Sequence, residues 1–374
     1  MKILLLGEYS NVHWTLAEGL RALGHDVTVA SDGDDWKNYP RDIDLRRPGL
    51  GSASRLERFK GSVHFITNVA RIWPKLRGYD VVQLINPVFL DFKAERLWPF
   101  YRYLRRHNGK FVLGAFGMDY YWVQGASDCK TFRYSDFNIG NTLRHSADID
   151  QWNKEWIDGP KGELNRRIAE DADAIVTGLY EYDLCYRPHF PSKTHFIPLP
   201  INLSAVTPTT PSQTPPPLRF FIGIQKKRSE YKGTDIMLRA LERLETDYGP
   251  ERMVINKAEN VPFAKYQELM NSSHVLLDQL YSYTPAMNAL LAMAKGLVVV
   301  GGGEEEQYEF IGENQLRPII NVQPCEDDVY AQIAGRLLSG NEDIRQLQLD
   351  SIEYVRRHHD HIRVAEQYLQ LYAL

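Results

Sequence analysis

Short, continuously apolar runs punctuate this chain, each followed by a stretch with helical spacing, and that alternation leaves few folds open. Residues 2–6 read as a strand, 11–23 as a helix with Asn11 as cap and Gly24 as stop, and 26–30 as the next strand. Residues 79–84, 110–113, 173–178 and 195–198 supply further apolar runs, with an aromatic helix over 93–106. Strands apolar on both faces and separated by helices belong to a parallel sheet covered on both sides.

The pattern breaks once. From 198 to 217 the chain reads PLPINLSAVTPTTPSQTPPP, proline- and threonine-rich and without apolar periodicity, which marks a linker. A second series then begins, with strands at 218–222, 253–255, 274–277, 297–300 and 318–322 and helices from Thr234 and from Pro262. The chain of 374 residues suits two such α/β domains. The expected organisation is a Rossmann-like, doubly wound domain over 1–200, a linker over 201–217, a second Rossmann-like domain over 218–350 and a terminal helix over 351–374.

A net charge of -4 and a pI near 6.3 argue against wholesale nucleic-acid binding, which needs a sustained basic surface. The opening MKILLLGEYSNVHW reads as a strand and not as a secretion signal, and no run is long and apolar enough to span a bilayer. Three scattered cysteines show no metal-ligand spacing, so a reduced, cytoplasmic setting is expected, and with no Asp-x-Asp clamp or His/Cys cluster beside the cations of residues 223–235 no metal or cofactor is expected either. Basic residues far outnumber acids from 46 to 77, and residues 93–110 mix aromatics with arginines. Such a helix can lie in an anionic membrane interface or pack its aromatics on the sheet; a peripheral membrane contact through the first domain, at the inner face of the membrane, is one of the two readings.

Two stretches of the second half carry chemistry. Residues 223–235, GIQKKRSEYKGTD, set Lys227, Arg228 and Lys232 just after a strand and before a helix that opens at Gly233 and Thr234. Cations and free N–H groups at that place suit a diphosphate, although a solvated basic loop has the same composition. Residues 278–302, DQLYSYTPAMNALLAMAKGLVVVGG, combine a polar loop, a helix over 286–295 with Thr284 as N-cap and Pro285 as first helical residue, and a buried strand. In the first half Gly7 lets the backbone after the first strand approach a ligand, and His13 follows at the start of a helix. Asp119 stands among aromatics after the strand 110–113.

These two stretches resemble the retaining, metal-independent glycosyltransferases of the two-Rossmann-domain (GT-B) architecture, the group 1 or family 4 type. Their signature has an acidic residue, a polar loop, then Glu-Ala-Met-Ala-x-Gly and an apolar strand; here its last part is Leu291-Ala292-Met293-Ala294-Lys295-Gly296. Tyr283 and Leu291 stand where the family has its two glutamates. The resemblance implies two domains facing a cleft and a terminal helix crossing back to the first, with transfer of a hexose from a nucleotide diphosphate sugar to a glycan or lipid-linked acceptor, with retention. It assigns the donor phosphates to Arg228 and Lys232, and places Tyr283, Thr284 and Asn288 against the donor, with Asn288 or Glu304 as substitute ribose partner. It sets Gly7, His13 and Asp119 at the cleft, the last two as catalytic candidates. Two rivals remain open: a weak or inactive sugar-nucleotide-binding subunit, and a nucleotide-sugar epimerase on the same fold.

Overall fold

The computed structural model describes residues 1–208, 217–225, 229–340 and 343–374. In chain order the strands are β1 (Lys2–Leu6), β2 (Asp26–Ser31), β3 (Ile43–Asp44), β4 (Val81–Leu84), β5 (Lys110–Ala115), β6 (Asn138–Ile139), β7 (Thr142–Leu143), β8 (Ala174–Thr177), β9 (Thr194–Phe196), β10 (Leu218–Ile224), β11 (Met253–Glu259), β12 (Val275–Leu277), β13 (Val298–Gly301) and β14 (Ile319–Asn321). The chain divides into two compact units, each an α/β Rossmann-like fold as expected.

The first unit comprises Met1–Gln124, Trp152–Pro200 and His361–Leu374. Its seven strands, all parallel, run in the order β3-β2-β1-β4-β5-β8-β9. The strand order reverses direction between β1 and β4, whose carboxyl ends therefore form the switch point of this sheet. Ile3, Leu5, Val81 and Val112 pack under the helix Val12–Ala22, and Val364, Ala365, Tyr368 and Leu371 of the helix His361–Ala373 complete the same core.

The second unit comprises Gly125–Gln151 and Ile201–Asp360. Its parallel sheet has the order β11-β10-β12-β13-β14, with the switch point between β10 and β12. Phe220, Ile222, Val275, Leu277, Val298 and Val300 are its buried centre.

Four differences from the sequence reading stand out. Residues 125–151, expected in the first domain, belong to the second unit. The terminal helix is two helices, Ile344–His358 and His361–Ala373, and only the latter belongs to the first unit. The break comes where Ile201 bridges Asp360 and its N–H donates to the His359 carbonyl at 2.7 Å. The helix after Thr284 spans Met287–Ala294 with the extended Ala286 as N-cap in place of Thr284, two residues later than expected, and the Glu304 N–H donates to the Tyr283 carbonyl just before it. Finally, an 18-residue helix, Arg55–Ile72, fills a stretch for which no element was expected. Of the linker, residues 209–216 lie outside the described residues.

Candidate functional site

At the switch point of the first unit the loop after β1 begins with Gly7 at φ 87, where a β-carbon would also strike the Ile85 side chain that follows β4. His13 is fully buried in the first turn of the helix Val12–Ala22. Its Nδ1 lies 2.8 Å from the Gly7 carbonyl and its Nε2 lies 3.2 Å from the Gln83 amide nitrogen. The Gln83 carbonyl in turn accepts from the Tyr372 hydroxyl at 2.8 Å. This chain of bonds suits one tautomer, Nδ1–H donating to Gly7 and Nε2 accepting from Gln83. Burial pushes the imidazole pKa down to about 3, so the ring is neutral at ordinary pH with both nitrogens engaged.

Glu8, which sequence reasoning passed over, caps the same helix. Its carboxylate oxygens accept the N–H groups of His13 at 3.2 Å and Trp14 at 2.9 Å, and burial pushes its pKa up to about 8 against those bonds.

Asp119 is likewise fully buried. One oxygen accepts the Trp122 N–H at 2.9 Å, capping the helix Tyr120–Ser127, and the other accepts the Tyr186 hydroxyl at 2.7 Å. The Tyr186 oxygen accepts from the Asn165 amide, whose carbonyl accepts the Tyr120 N–H. Burial raises the Asp119 pKa to about 7. The group therefore changes charge near neutrality while holding one end of a helix.

In the second unit the two loops that carry the donor candidates leave β10 and β12, the adjacent strands at the switch point. Lys227 and Arg228 lie outside the described residues. Lys232, half-buried, ends the short helix Ser229–Lys232, and its carbonyl accepts the Leu280 N–H at 3.0 Å, which ties the two loops together. Gly233 follows at φ 71 with Leu280 so close that any side chain would collide, and the helix Thr234–Tyr248 starts there. Asp278, at the end of β12, has its pKa raised by burial against the pull of Asn288 and the Lys232 charge.

Asn288 is a bracing residue in this geometry. Its amide nitrogen donates to Asp278 at 3.0 Å and its carbonyl accepts the Tyr266 hydroxyl at 2.9 Å. Tyr283 and Thr284 are buried, and Leu291 is half-buried on the helix Met287–Ala294. The Tyr283 hydroxyl accepts the Arg133 N–H at 2.9 Å, and its ring lies between Phe132 and Tyr134. The Glu304 carboxylate accepts from Tyr134 at 2.6 Å, Asn321 at 2.9 Å, Gln323 at 2.8 Å and the Arg133 guanidinium at 2.7 Å. Burial alone would raise its pKa, but these donors bring it below the usual carboxylate value.

Residues 125–151 thus supply partners that no local pattern announced. Arg133 and Tyr134 hold Glu304; Arg144 donates to the Glu230 carbonyl at 2.7 Å with its guanidinium 3.7 Å from the centre of the Tyr281 ring; and the Tyr231 hydroxyl donates to Asp136 at 2.6 Å. The hairpin between β6 and β7 turns through Gly140-Asn141, a two-residue signal that was readable, although its destination was not.

Two Rossmann-like units in one chain define the GT-B class of fold, and solved structures that resemble this chain over its whole length have it. One is sucrose-phosphate synthase from Thermosynechococcus elongatus, with a TM-score of 0.64 and 15% identity over 100% of this chain and 98% of that one. Anabaena HepE, solved in complex with UDP-glucose, matches with a TM-score of 0.57 and 12% identity over 100% of both chains. A putative UDP-N-acetylglucosamine 2-epimerase from Listeria monocytogenes gives 0.51 and 12% over 99% of this chain and 94% of that one. At these identities the likeness is one of fold. No protein-family model matches the sequence, and no curated protein matches it.

Proposed function

We propose that this chain is a glycosyltransferase that moves a hexose from a nucleotide diphosphate sugar to a glycan or lipid-linked acceptor with retention, in the cytoplasm or at the inner face of its membrane. The observation that carries the reading is the placement of Lys232 and the Asp278–Asn288 loop on neighbouring strands at the switch point of the second sheet, the position at which open α/β sheets bind nucleotides. The fold supports it, since HepE, which shares that fold, was solved with UDP-glucose. On this reading Lys227, Arg228 and Lys232 stabilise the leaving diphosphate, and the helix Thr234–Tyr248 directs its N-terminus toward it, so charge that develops on bond cleavage meets cations already in place. No divalent metal is then required and no cofactor beyond the donor.

Asn288 and Glu304 fit this proposal as supports of the loops, because their polar atoms are engaged by Asp278, Tyr266, Arg133 and Tyr134. Ribose recognition falls to groups other than a carboxylate at 283 or 291. A second reading, a sugar-nucleotide-binding subunit of weak or no activity, rests on a different observation: the Tyr283 hydroxyl is tied to the Arg133 N–H and the Leu291 side chain has no polar atom to offer.

The test is a panel of nucleotide sugars assayed for released nucleoside diphosphate, with and without EDTA. Turnover that survives EDTA is expected. Tight nucleotide binding with no turnover on any donor favours the subunit reading, and activity restored only by added Mg²⁺ or Mn²⁺ overturns metal independence.

A further inference from the structure

The helix Arg55–Ile72 has two apolar faces. The inner one buries Gly61, Phe65 and Val69, with the Phe65 ring 4.9 Å from Phe92. The outer one carries Leu56, Phe59, Val63 and Ile66, at alternating spacings of three and four, and these side chains are 61%, 66%, 45% and 51% exposed. Leu50, just before the helix, is 59% exposed. Isolated apolar side chains on a surface are ordinary, but a helical stripe of four is not.

Charge identifies what covers the stripe. From residue 46 to residue 77 the chain has eight Lys and Arg and a single acid, Glu57, within a protein whose net charge is -4. Arg55 borders the stripe on one side and Lys60 and Arg71 on the other, by their positions around the helix. Two copies of this face brought together by a twofold axis would set one basic patch against the other. A polyanionic surface with an apolar layer beneath it satisfies both the stripe and its rim, and an anionic lipid leaflet is that surface.

The neighbouring helix Leu97–His107, which looked the better candidate in sequence, has its aromatics engaged: Phe100 stacks on Phe92 at 5.2 Å and meets Trp73 edge-on at 5.1 Å, and Trp98 stacks on Tyr101 at 5.3 Å. Among the described residues no helix is long and apolar enough to cross a membrane, so the contact is peripheral.

We infer that the outer face of Arg55–Ile72 is a membrane-docking surface that lies flat in the interface of an anionic leaflet, with Leu56, Phe59, Val63 and Ile66 inserted and the flanking Arg and Lys on the headgroups. This deepens the lipid-side reading of the acceptor proposed above, yet it needs no donor chemistry. Nucleotide binding without vesicle binding overturns the surface alone, and vesicle binding without nucleotide binding overturns the transferase reading alone.

The test is flotation of the full chain, without nucleotide, on vesicles of phosphatidylcholine alone and of an equal mixture of phosphatidylcholine and phosphatidylglycerol. Binding is expected on the mixture, and it weakens as salt is raised. The double variants Phe59→Ser/Ile66→Ser and Arg55→Glu/Lys60→Glu should each lower the partition coefficient by roughly tenfold or more. All four positions are exposed, so the variants keep the wild-type melting temperature. In a Phe59→Trp protein the added indole emission should shift to the blue when the mixed vesicles are added. Failure of the wild type to float, flotation of the Phe59→Ser/Ile66→Ser variant like the wild type, or an unshifted emission each overturns the proposal. So does a wild-type dimer that the same variant converts to monomer, which would make a second copy the occupant.

Discussion

The two sheets each have a switch point, and they use it in opposite ways. In the first unit the groups beyond β1 and β4 engage one another: a β-carbon at Gly7 would strike Ile85, and Gly7, His13, Gln83 and Tyr372 form a linear series of hydrogen bonds. In the second, the loops that leave β10 and β12 carry Lys232 and other half-buried polar groups and are tied to each other through the Lys232 carbonyl. The same topology thus yields a self-satisfied corner in one unit and a polar one in the other. Position at a switch point marks where a ligand can bind, and only the side chains decide whether one does.

The comparison can be broken at Asp119, where the largest effect is expected. Its folded pKa of about 7 lies above the ordinary 3.8, so the folded state holds the proton more tightly and the protein loses stability as pH rises through that window. The stability of wild type minus that of Asp119→Asn, from urea unfolding at several pH values, should fall by about 1.4 kcal/mol per pH unit between those limits and then level off. A flat difference would mean that Asp119 stays ionised and has a partner other than Tyr186 and Trp122.

His13→Ala comes next. It leaves the Gly7 carbonyl and the Gln83 amide without their partner and opens a cavity, so a loss of about 3 kcal/mol in unfolding free energy is expected, with nucleotide affinity unchanged. Abolished turnover in a variant of wild-type stability would instead make His13 a catalytic residue and the first corner the reacting one.

In the second unit Lys232→Ala, and equally Arg228→Ala, should weaken nucleoside diphosphate binding by about 1.5 to 3 kcal/mol in calorimetry while stability hardly changes. Unaltered affinity in both would remove the diphosphate from the second corner. The smallest effect is at Leu291→Glu. With Asn288 engaged by Asp278 and Tyr266 and Tyr283 by Arg133, a new carboxylate is expected to repel the diphosphate and to raise the dissociation constant roughly threefold, about 0.7 kcal/mol. Tighter binding would show that the helix Met287–Ala294 still lies under a ribose.

Most of both sheets could be read from the chain, because runs such as Lys2–Leu6 and Leu218–Ile224 are apolar on both faces and their partners follow in order. The helix Arg55–Ile72 was hidden by its own composition: apolar residues on two faces blur the single stripe that marks an amphipathic helix. At the sites, Gly7, Lys232 and the 278–288 loop were legible from spacing after a strand. The role of Tyr283 and Glu304 was not, because their partners Arg133 and Tyr134 come from 150 and 170 positions earlier, and nothing local in either segment encodes the meeting. Thr284 shows a subtler failure, since a valid cap signal is present and yet the extended Ala286 takes the N-cap place.

The division of the chain has a consequence for how this protein comes into being. The first unit holds residues 1–124, 152–200 and 361–374, so the strand β1 lacks Val364, Tyr368 and Leu371 over its core until the whole second unit, which ends at residue 360, has been made. The second unit needs residues 125–151 early and 201–360 late, and it too must wait. The first unit therefore cannot be completed until every residue of the second has been synthesised. Such long-range closure slows folding and leaves apolar β-strand surface uncovered during synthesis, an interval in which chaperone dependence should be greatest.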